Sequence, residues 1–373
     1  MPLSVLTIGT VNHAAGVRVT LDSFREHHPG SRLFTCLVDG RPEHRRALGL
    51  PGEVFSIEDM ELPGGRRFAF KFTPFELCCA LKPFAASYVL EKYGVQDLVY
   101  LDSDVMVFSP MDEALTAAWA SAKVLCTPHF VEWPNEPVEI LRQVRQYGTY
   151  NAGFFGVQDS PQTRRFLTWW GALCSEMGIF ELAAGCFVDQ IWLDLVVAER
   201  YGLAPLLDPG MNVGYWNLSE RALAKDGLVW LVNRRERLKF FHFSGFDPKR
   251  LTVRRTFELG DVHVALAQEY AERLEAAGLA RLKNLPYGLG TYEDGSPIPL
   301  LHRRAIFRNE PTLASVIDPF KATQDREIWH ALLRAGRDDT ANIPQGRRLA
   351  RRICDRVVRP LRRLLARSRD VTR

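Results

Sequence analysis

The sequence predicts an α/β protein, and three observations carry that prediction. VLTIGTV (5–11), a helical TLDSFREHHP (20–29) and RLFTCLVDG (32–40) form a strand, helix, strand opening with a Gly-containing stop. PFELCCALKPFAASYVLEKYG (74–94) carries apolar residues at helical spacing and feeds directly into LVYLDSDVMVF (98–108), repeating the same crossover logic. At 373 residues, with 46% hydrophobic and 25% charged residues, the chain is long and apolar enough to bury a sizeable core.

The remaining elements follow in order. SPMDEALTAAWASA (109–122) reads as a helix with Ser109 as its cap and Pro110 at its first position. KVLCTP (123–128) is a strand, EWPNEP (132–137) a polar loop, and YNAGFFGVQ (150–158) a second strand. RRFLTWWGALCSEM (164–177) and FVDQIWLDLVVAERYG (187–202) read as two helices, with Trp169 and Trp170 as core residues. PGMNVGYWN (209–217) is either a pocket loop lined by Asn212 and Trp216 or a buried loop with the same residues. RLKFFHFSGFDP (237–248) is a strand running into a turn, and residues 260–283 form a helix supported by Glu269 and Arg273 four apart. Beyond residue 284 the texture turns to YGLGTYEDGSPIP, so the expected division is 1–260 for a catalytic domain, 261–346 for a C-terminal helical extension and 347–373 for a tail.

Charge separates that tail from the body. Residues 347–373 hold eleven Arg against two Asp, a net +9, which leaves residues 1–346 at −5 of the total +4. Leu349, Ile353, Val357, Leu361, Leu364 and Leu365 recur at roughly helical spacing among the arginines, with Pro360 kinking or splitting the run. A basic amphipathic segment of this kind suits an anionic membrane surface. It lacks the aromatic interleaving expected of a nucleic-acid contact, so none is expected.

Seven cysteines without a CxxC pair read as buried thiols of a reducing compartment, which points to the cytoplasm, with the tail peripheral on the inner face of the membrane. No apolar run has membrane-spanning length, and MPLSVLTIGTVNHAAG reads as a first strand rather than a signal peptide.

The chemistry begins at VYLDSDVMVF (99–108), where Asp102 and Asp104 interrupt an apolar run. Two carboxylates there repel each other and resist burial unless something is gained. Alternate residues of an extended chain face the same way, and a tight strand-end turn also brings them together; either way they suit a hard divalent cation. His242, in FFHFSGFDP, is a candidate third ligand that tilts the preference from magnesium toward manganese, and the Ser-Gly that follows, ending at Gly245, offers bare amides to a phosphate.

The ordered set LDSD, YNAG, VDQ and HFSG resembles the GT-A-fold glycosyltransferases of family 8 and their bacterial relatives over roughly residues 3–250. The resemblance implies a Rossmann-like, mixed and mostly parallel sheet flanked by helices. It implies retaining transfer from a nucleotide-sugar, usually a UDP-sugar, with Mn2+ or Mg2+ as cofactor. Asp102, Asp104 and His242 would hold the metal. Asn151, Ala152 and Gly153 would contact the donor sugar, and Asp189 and Gln190 would lie beneath the anomeric carbon. Lys82 would touch donor sugar or phosphate, and Asn12 would hold the uracil and ribose. Three positions depart from the family pattern: Ile191 follows D-Q where an acid is common, Lys249 stands about one residue late after HFSG, and His129 occupies the stretch where relatives place an acidic sugar contact.

The expected partners are a nucleotide-sugar donor and a glycan or lipid-linked acceptor. The alternatives are an inverting transferase on the same scaffold, with Asp189 as general base, and a non-catalytic nucleotide-sugar or glycan-binding module. A sugar nucleotidyltransferase would carry a Gly-rich basic loop after the first strand, which IGTVNHAAG lacks.

Overall fold

A computed structural model of the chain describes residues 3–196, 202–251, 261–309 and 313–338. The expected tail 347–373 and the end of the expected helix 187–202 lie outside the described residues. Contacts divide the chain into two units, one of Met1–Met60, Phe84–Leu167 and Gln190–Tyr287 and one of Glu61–Pro83, Thr168–Asp189 and Gly288–Arg373. This division does not follow a linear boundary near residue 260. The helix Asp261–Ala276 contributes Leu266, Tyr270 and Leu274 to the same buried cluster as Val5 and Leu101, and so belongs to the first unit.

The first unit is built on a mixed sheet. Its strands are β1 (Ser4–Gly9), β2 (Arg32–Leu37), β3 (Glu53–Phe55), β4 (Asp97–Leu101), β6 (Val124–Pro128), β7 (Tyr150–Gln158) and the short strand Leu203–Pro205. The spatial order is β3-β2-β1-β4-β7-β6-(203–205). All neighbours pair in parallel except β7, which runs antiparallel to both β4 and β6. The α/β expectation is therefore met, with one reversed strand in an otherwise parallel sheet. β1 is buried throughout and β4 from Leu98 onward, in keeping with their mostly apolar sequences and a sheet covered on both faces, although β1 also buries Ser4 and Thr7. Helix α1 (Ala14–His27) buries Val17, Leu21 and Phe24, residues four and three apart along one stripe.

A second, smaller sheet sets up the site. β5 (Val105–Val107) pairs antiparallel with Phe240–His242, which in turn pairs parallel with Val213–Gly214. Its register places His242 opposite Val105, Phe241 opposite Met106 and Phe240 opposite Val107.

Three local expectations need correction. The run 74–94 is two helices, Pro74–Ala80 and Lys82–Tyr93, because Pro83 has no N–H for the helix ladder. Ser109 does not cap the following helix: its hydroxyl donates to the Leu238 carbonyl (2.8 Å), and the helix starts at Asp112. In the expected helix 187–202, the described part is a strand pair ending at Phe187 and a 3-10 stretch Gln190–Leu195. Among the described residues Cys36, Cys79, Cys126, Cys174 and Cys186 are buried thiols and Cys78 is half-buried, and burial raises the thiols of Cys126 and Cys186 to about 12 and about 11.

The second unit has its own core, in which Phe70, Tyr292, Ile306, Phe320 and Leu332 are buried together. Glu76, which also closes the capping box of its helix with Thr73, receives both guanidinium nitrogens of Arg304 (3.0 and 2.6 Å) and the Phe180 amide (2.7 Å). Burial pushes the Glu76 carboxyl up, but the Arg304 fork and the amides of Phe180 and Thr73 outweigh it and hold the group below the usual carboxylate range. Arg304→Ala should cost ~3–5 kcal/mol by leaving that carboxylate buried without its partner, measurable by urea unfolding at pH 7. Because the folded value is depressed, the stabilisation is full above the ordinary carboxylate range and is lost as pH falls below it, so the wild-type advantage over the variant should shrink in acid.

Candidate active site

β4 ends at Leu101, and the chain turns at once. The Asp102 amide donates to the Gly153 carbonyl (2.9 Å), extending the β4–β7 ladder by one bond, and the Val105 amide closes back on the Asp102 carbonyl (3.2 Å). The Asp104 carbonyl accepts from the Phe243 amide (2.8 Å), which ties this turn to the strand carrying His242. The tight turn, rather than a continuing strand, brings the carboxylates together. His242 Nε2 lies 3.0 Å from Asp104 Oδ1 and 3.8 Å from Asp102 Oδ2. One ligand atom from each of the three residues falls within 4.8 Å of the others.

The side chains differ in access: Asp102 is 28% exposed and Asp104 40%, whereas His242 is buried. Tyr100 donates its hydroxyl to Asp102 Oδ1 (2.6 Å) and so fixes that carboxylate from within the strand. Two glycines make the close approach possible. A Cβ on Gly16 of α1 would overlap the Ser103 carbonyl, and one on Gly153 would overlap the His242 ring. Two oxygens and one imidazole nitrogen meeting at a half-open turn fit a hard to borderline divalent cation.

A buried amide cluster backs this group. Asn151 Oδ1 accepts from the Gly153 amide (2.9 Å) and from Asn212 Nδ2 (3.1 Å), and Asn212 Nδ2 also reaches Thr127 Oγ1 (2.7 Å). Asn212 Oδ1 faces His242 Nδ1 at 3.2 Å. Asn212 is 1% exposed with φ +52°, a backbone region that asparagine tolerates better than most residues. The loop 209–217 is thus a buried loop; Trp216, also buried, lies edge-on to both His129 and His242.

His129 is buried with Nδ1 against the Thr149 carbonyl (3.2 Å) and Nε2 3.4 Å from the Asn151 amide nitrogen. Burial drives its pKa down to about 4. Ala152 donates its amide toward Gln190 Oε1 (3.4 Å), while Gln190 Nε2 donates to the Tyr147 carbonyl (2.8 Å). Asn12 Oδ1 accepts from Thr10 Oγ1 (2.5 Å) after β1. Gly245, at φ +69°, and Lys249 are exposed in the turns after His242.

In the second unit, Lys82 Nζ and Asp189 Oδ2 form a buried ion pair at 3.0 Å, 3% and 1% exposed. Trp170 donates its indole N–H to the Asp189 carbonyl (2.9 Å), so it is more than core filling. Asp39 was not singled out by its sequence. It is buried at the end of β2 and accepts the Val11 amide (2.8 Å), beside Thr10 and Asn12. LVDG at 37–40 has the same form as LDSD, an apolar run broken by aspartate at a strand's C-terminal edge, and that was the available signal.

No family model matches the chain. It is 28% identical over 178 residues to the uncharacterized protein YfnF of Bacillus subtilis (strain 168), a match covering 46% of this chain and 57% of that one. The chain thus spans about half the length of that curated relative. Solved structures similar to it include the galactosyltransferase LgtC in complex with donor and acceptor sugar analogs, 15% identical, covering 76% of this chain and 98% of that one with a TM-score of 0.46. Others are the glycosyltransferase GlyE of Streptococcus pneumoniae TIGR4 (12%, 79% and 67%, TM-score 0.41) and a glycosyltransferase involved in glycosylation of the major capsid of PBCV-1 (12%, 74% and 100%, TM-score 0.40).

The lowered His129 pKa has a consequence for stability. An unfolded histidine binds its proton near 6.5 and the folded ring only near 4, so stability is full above 6.5 and falls as pH drops to 4. His129→Gln should flatten the unfolding free energy across that window by about 3 kcal/mol in total, read from urea titrations at several pH values. An unchanged slope would contradict the assignment.

Proposed function

We propose that the chain is a metal-dependent, retaining glycosyltransferase that moves a hexose from a nucleotide-sugar, most simply a UDP-sugar, to a cell-envelope or lipid-linked glycan acceptor. The observation that carries this reading is the meeting of Asp102, Asp104 and His242 at the C-terminal edge of the sheet, beside buried Asn151. Manganese suits two oxygens and an imidazole somewhat better than magnesium. A cation held there supplies Lewis-acid neutralisation of the charge that grows on the departing diphosphate.

The chain's own residues do the remaining work. Gly245 and Lys249 lie on the exposed turns after His242, where an amide and an ammonium are within reach of phosphate oxygens arriving from solvent. Asn151 and Gln190 are held by fixed partners and orient the sugar, with Ala152 and Gly153 forming the strand backbone against which it rests. Asn12, with Asp39 behind it, receives the nucleoside. Asp189 and Lys82 keep the roles that sequence resemblance gives them, Asp189 at the anomeric centre and Lys82 toward donor sugar or phosphate. The Asp189 carboxylate is engaged by the Lys82 ammonium, which counts against it as the general base of an inverting reaction. His129 lies behind Asn151 and positions it rather than touching the sugar.

Thermal-shift titration with UDP-sugars, with and without Mn2+, tests nucleotide, sugar and metal together. Stabilisation by donor should require the metal, and Asp104→Ala should lower Mn2+-dependent donor turnover by roughly 100-fold or more. Full activity in that variant removes the metal assignment, and an anomeric product assignment by NMR separates retention from inversion.

The acceptor reading rests on the tail. Eleven arginines among spaced leucines in 347–373 favour an anionic bilayer, which is where a lipid-linked acceptor resides. Among the described residues no helix is long and apolar enough to cross a membrane. The full chain should float with vesicles containing anionic lipid, and a chain ending at residue 346 should not; equal flotation rejects membrane docking by the tail.

A further inference from the structure

The polarity of the buried amide cluster can be read from two groups that have no choice. A backbone N–H only donates, so the atom of Asn151 facing the Gly153 amide at 2.9 Å is its oxygen. A backbone carbonyl only accepts, so His129 carries its proton on Nδ1 toward Thr149 and offers the Nε2 lone pair to the Asn151 amide nitrogen. Both ends therefore agree on how the Asn151 amide is turned.

Asn212 is constrained next. Its neighbour at 3.1 Å is the Asn151 oxygen, an acceptor, so Asn212 must present its NH2 there and to Thr127 Oγ1. Its own oxygen then points the opposite way, 3.2 Å from His242 Nδ1. Oxygen only accepts, so the bond between His242 and Asn212 requires a proton on Nδ1, which in a neutral ring leaves the Nε2 lone pair facing the carboxylates of Asp104 and Asp102.

We propose that Asn212 is a positioning residue that fixes His242 as the Nδ1–H tautomer and links it, through one amide, to Asn151. The competing state is close at hand: an Nε2–H ring would donate to Asp104 Oδ1 at 3.0 Å and occupy the nitrogen a cation needs. Asn212 removes that competitor by giving the proton an acceptor on the other side of the ring. The same amide orients Asn151, so the metal side and the sugar side are set by one residue that reaches neither ligand.

The Nδ1–H assignment rests on the bond to Asn212 in competition with donation to Asp104 Oδ1, and its link to metal and donor rests on the proposed transferase function. The test uses the full-length protein with 15N-labelled histidine and reads ring nitrogens by long-range 1H–15N correlation. The His242 signal is identified by its loss in His242→Gln. Asn212→Gly suits φ +52° and removes the amide without backbone strain; Asn212→Asp keeps an acceptor for His242 but loses the donor to Asn151. Wild type and Asn212→Asp should show Nδ1–H, and Asn212→Gly should switch to Nε2–H. A wild-type ring protonated on Nε2, or an Asn212→Gly ring still protonated on Nδ1, overturns the proposal.

Donor hydrolysis then separates the two halves. The Mn2+ concentration for half-maximal rate should rise about 10-fold or more in Asn212→Gly and stay within about 3-fold of wild type in Asn212→Asp. The donor KM should rise in both, because both lose the hold on Asn151. Absence of any turnover in wild type would count against the transferase reading and leave the tautomer result standing; a tautomer switch without these kinetic shifts would reject the link to metal and donor.

Discussion

Pairing of β5 with Phe240–His242 brings an imidazole from late in the chain onto a turn formed early in it, and the register admits no slip. One residue of slippage would turn His242 to the opposite face of the small sheet and leave the two aspartates with a phenylalanine beside them. Two further bonds hold this register from outside the pair. The Phe243 amide reaches the Asp104 carbonyl, and Thr20 of α1 donates its hydroxyl to the Val105 carbonyl at 2.8 Å. The apolar residues Met106, Phe240 and Phe241, all buried, supply the driving force, so the functional geometry is a by-product of hydrophobic registration.

Close packing around that turn is achieved by omission. Gly16 and Gly153 lack side chains where a backbone carbonyl and an imidazole need the room. The polar groups buried behind them have to be satisfied, since each orphan costs about 1–3 kcal/mol. Asn151, Asn212, Thr127 and His129 meet that demand with one another and with backbone groups, which is why a set of amides and a neutral histidine can sit in the core.

Much of this was legible in the sequence where the signal is local. A strand opening near residue 5, one ending at Leu101 and one over 150–158 stand where expected, because hydrophobic runs and their interruptions are read directly from residue order. What escaped depends on partners distant in the chain. Ser109 has the residue type of a cap but finds the Leu238 carbonyl instead. Lys82 and Asp189 are suited separately to phosphate and sugar, yet are paired with each other. Asn212 looked equally like a sugar contact and a buried residue, and only its distances to Asn151 and His242 decide. The reversed strand β7 was equally hidden, since an apolar run carries no mark of its direction.

The aspartates themselves illustrate how a site is separated from the fold that carries it. The backbone of Asp102 and Asp104 is consumed by structure: an amide to Gly153, a carbonyl to Val105, a carbonyl to Phe243. Their carboxylates contribute no such ladder bond, and one of the two is 40% exposed. Like charges held this close destabilise the turn unless a positive charge neutralises them. A fold under selection for stability alone would place asparagine or serine in such a turn, where they bond locally at no electrostatic cost. Two acids beside a histidine whose second nitrogen is engaged by an amide therefore cost the turn stability, and that cost is what sets LDSD apart from an ordinary strand-end turn.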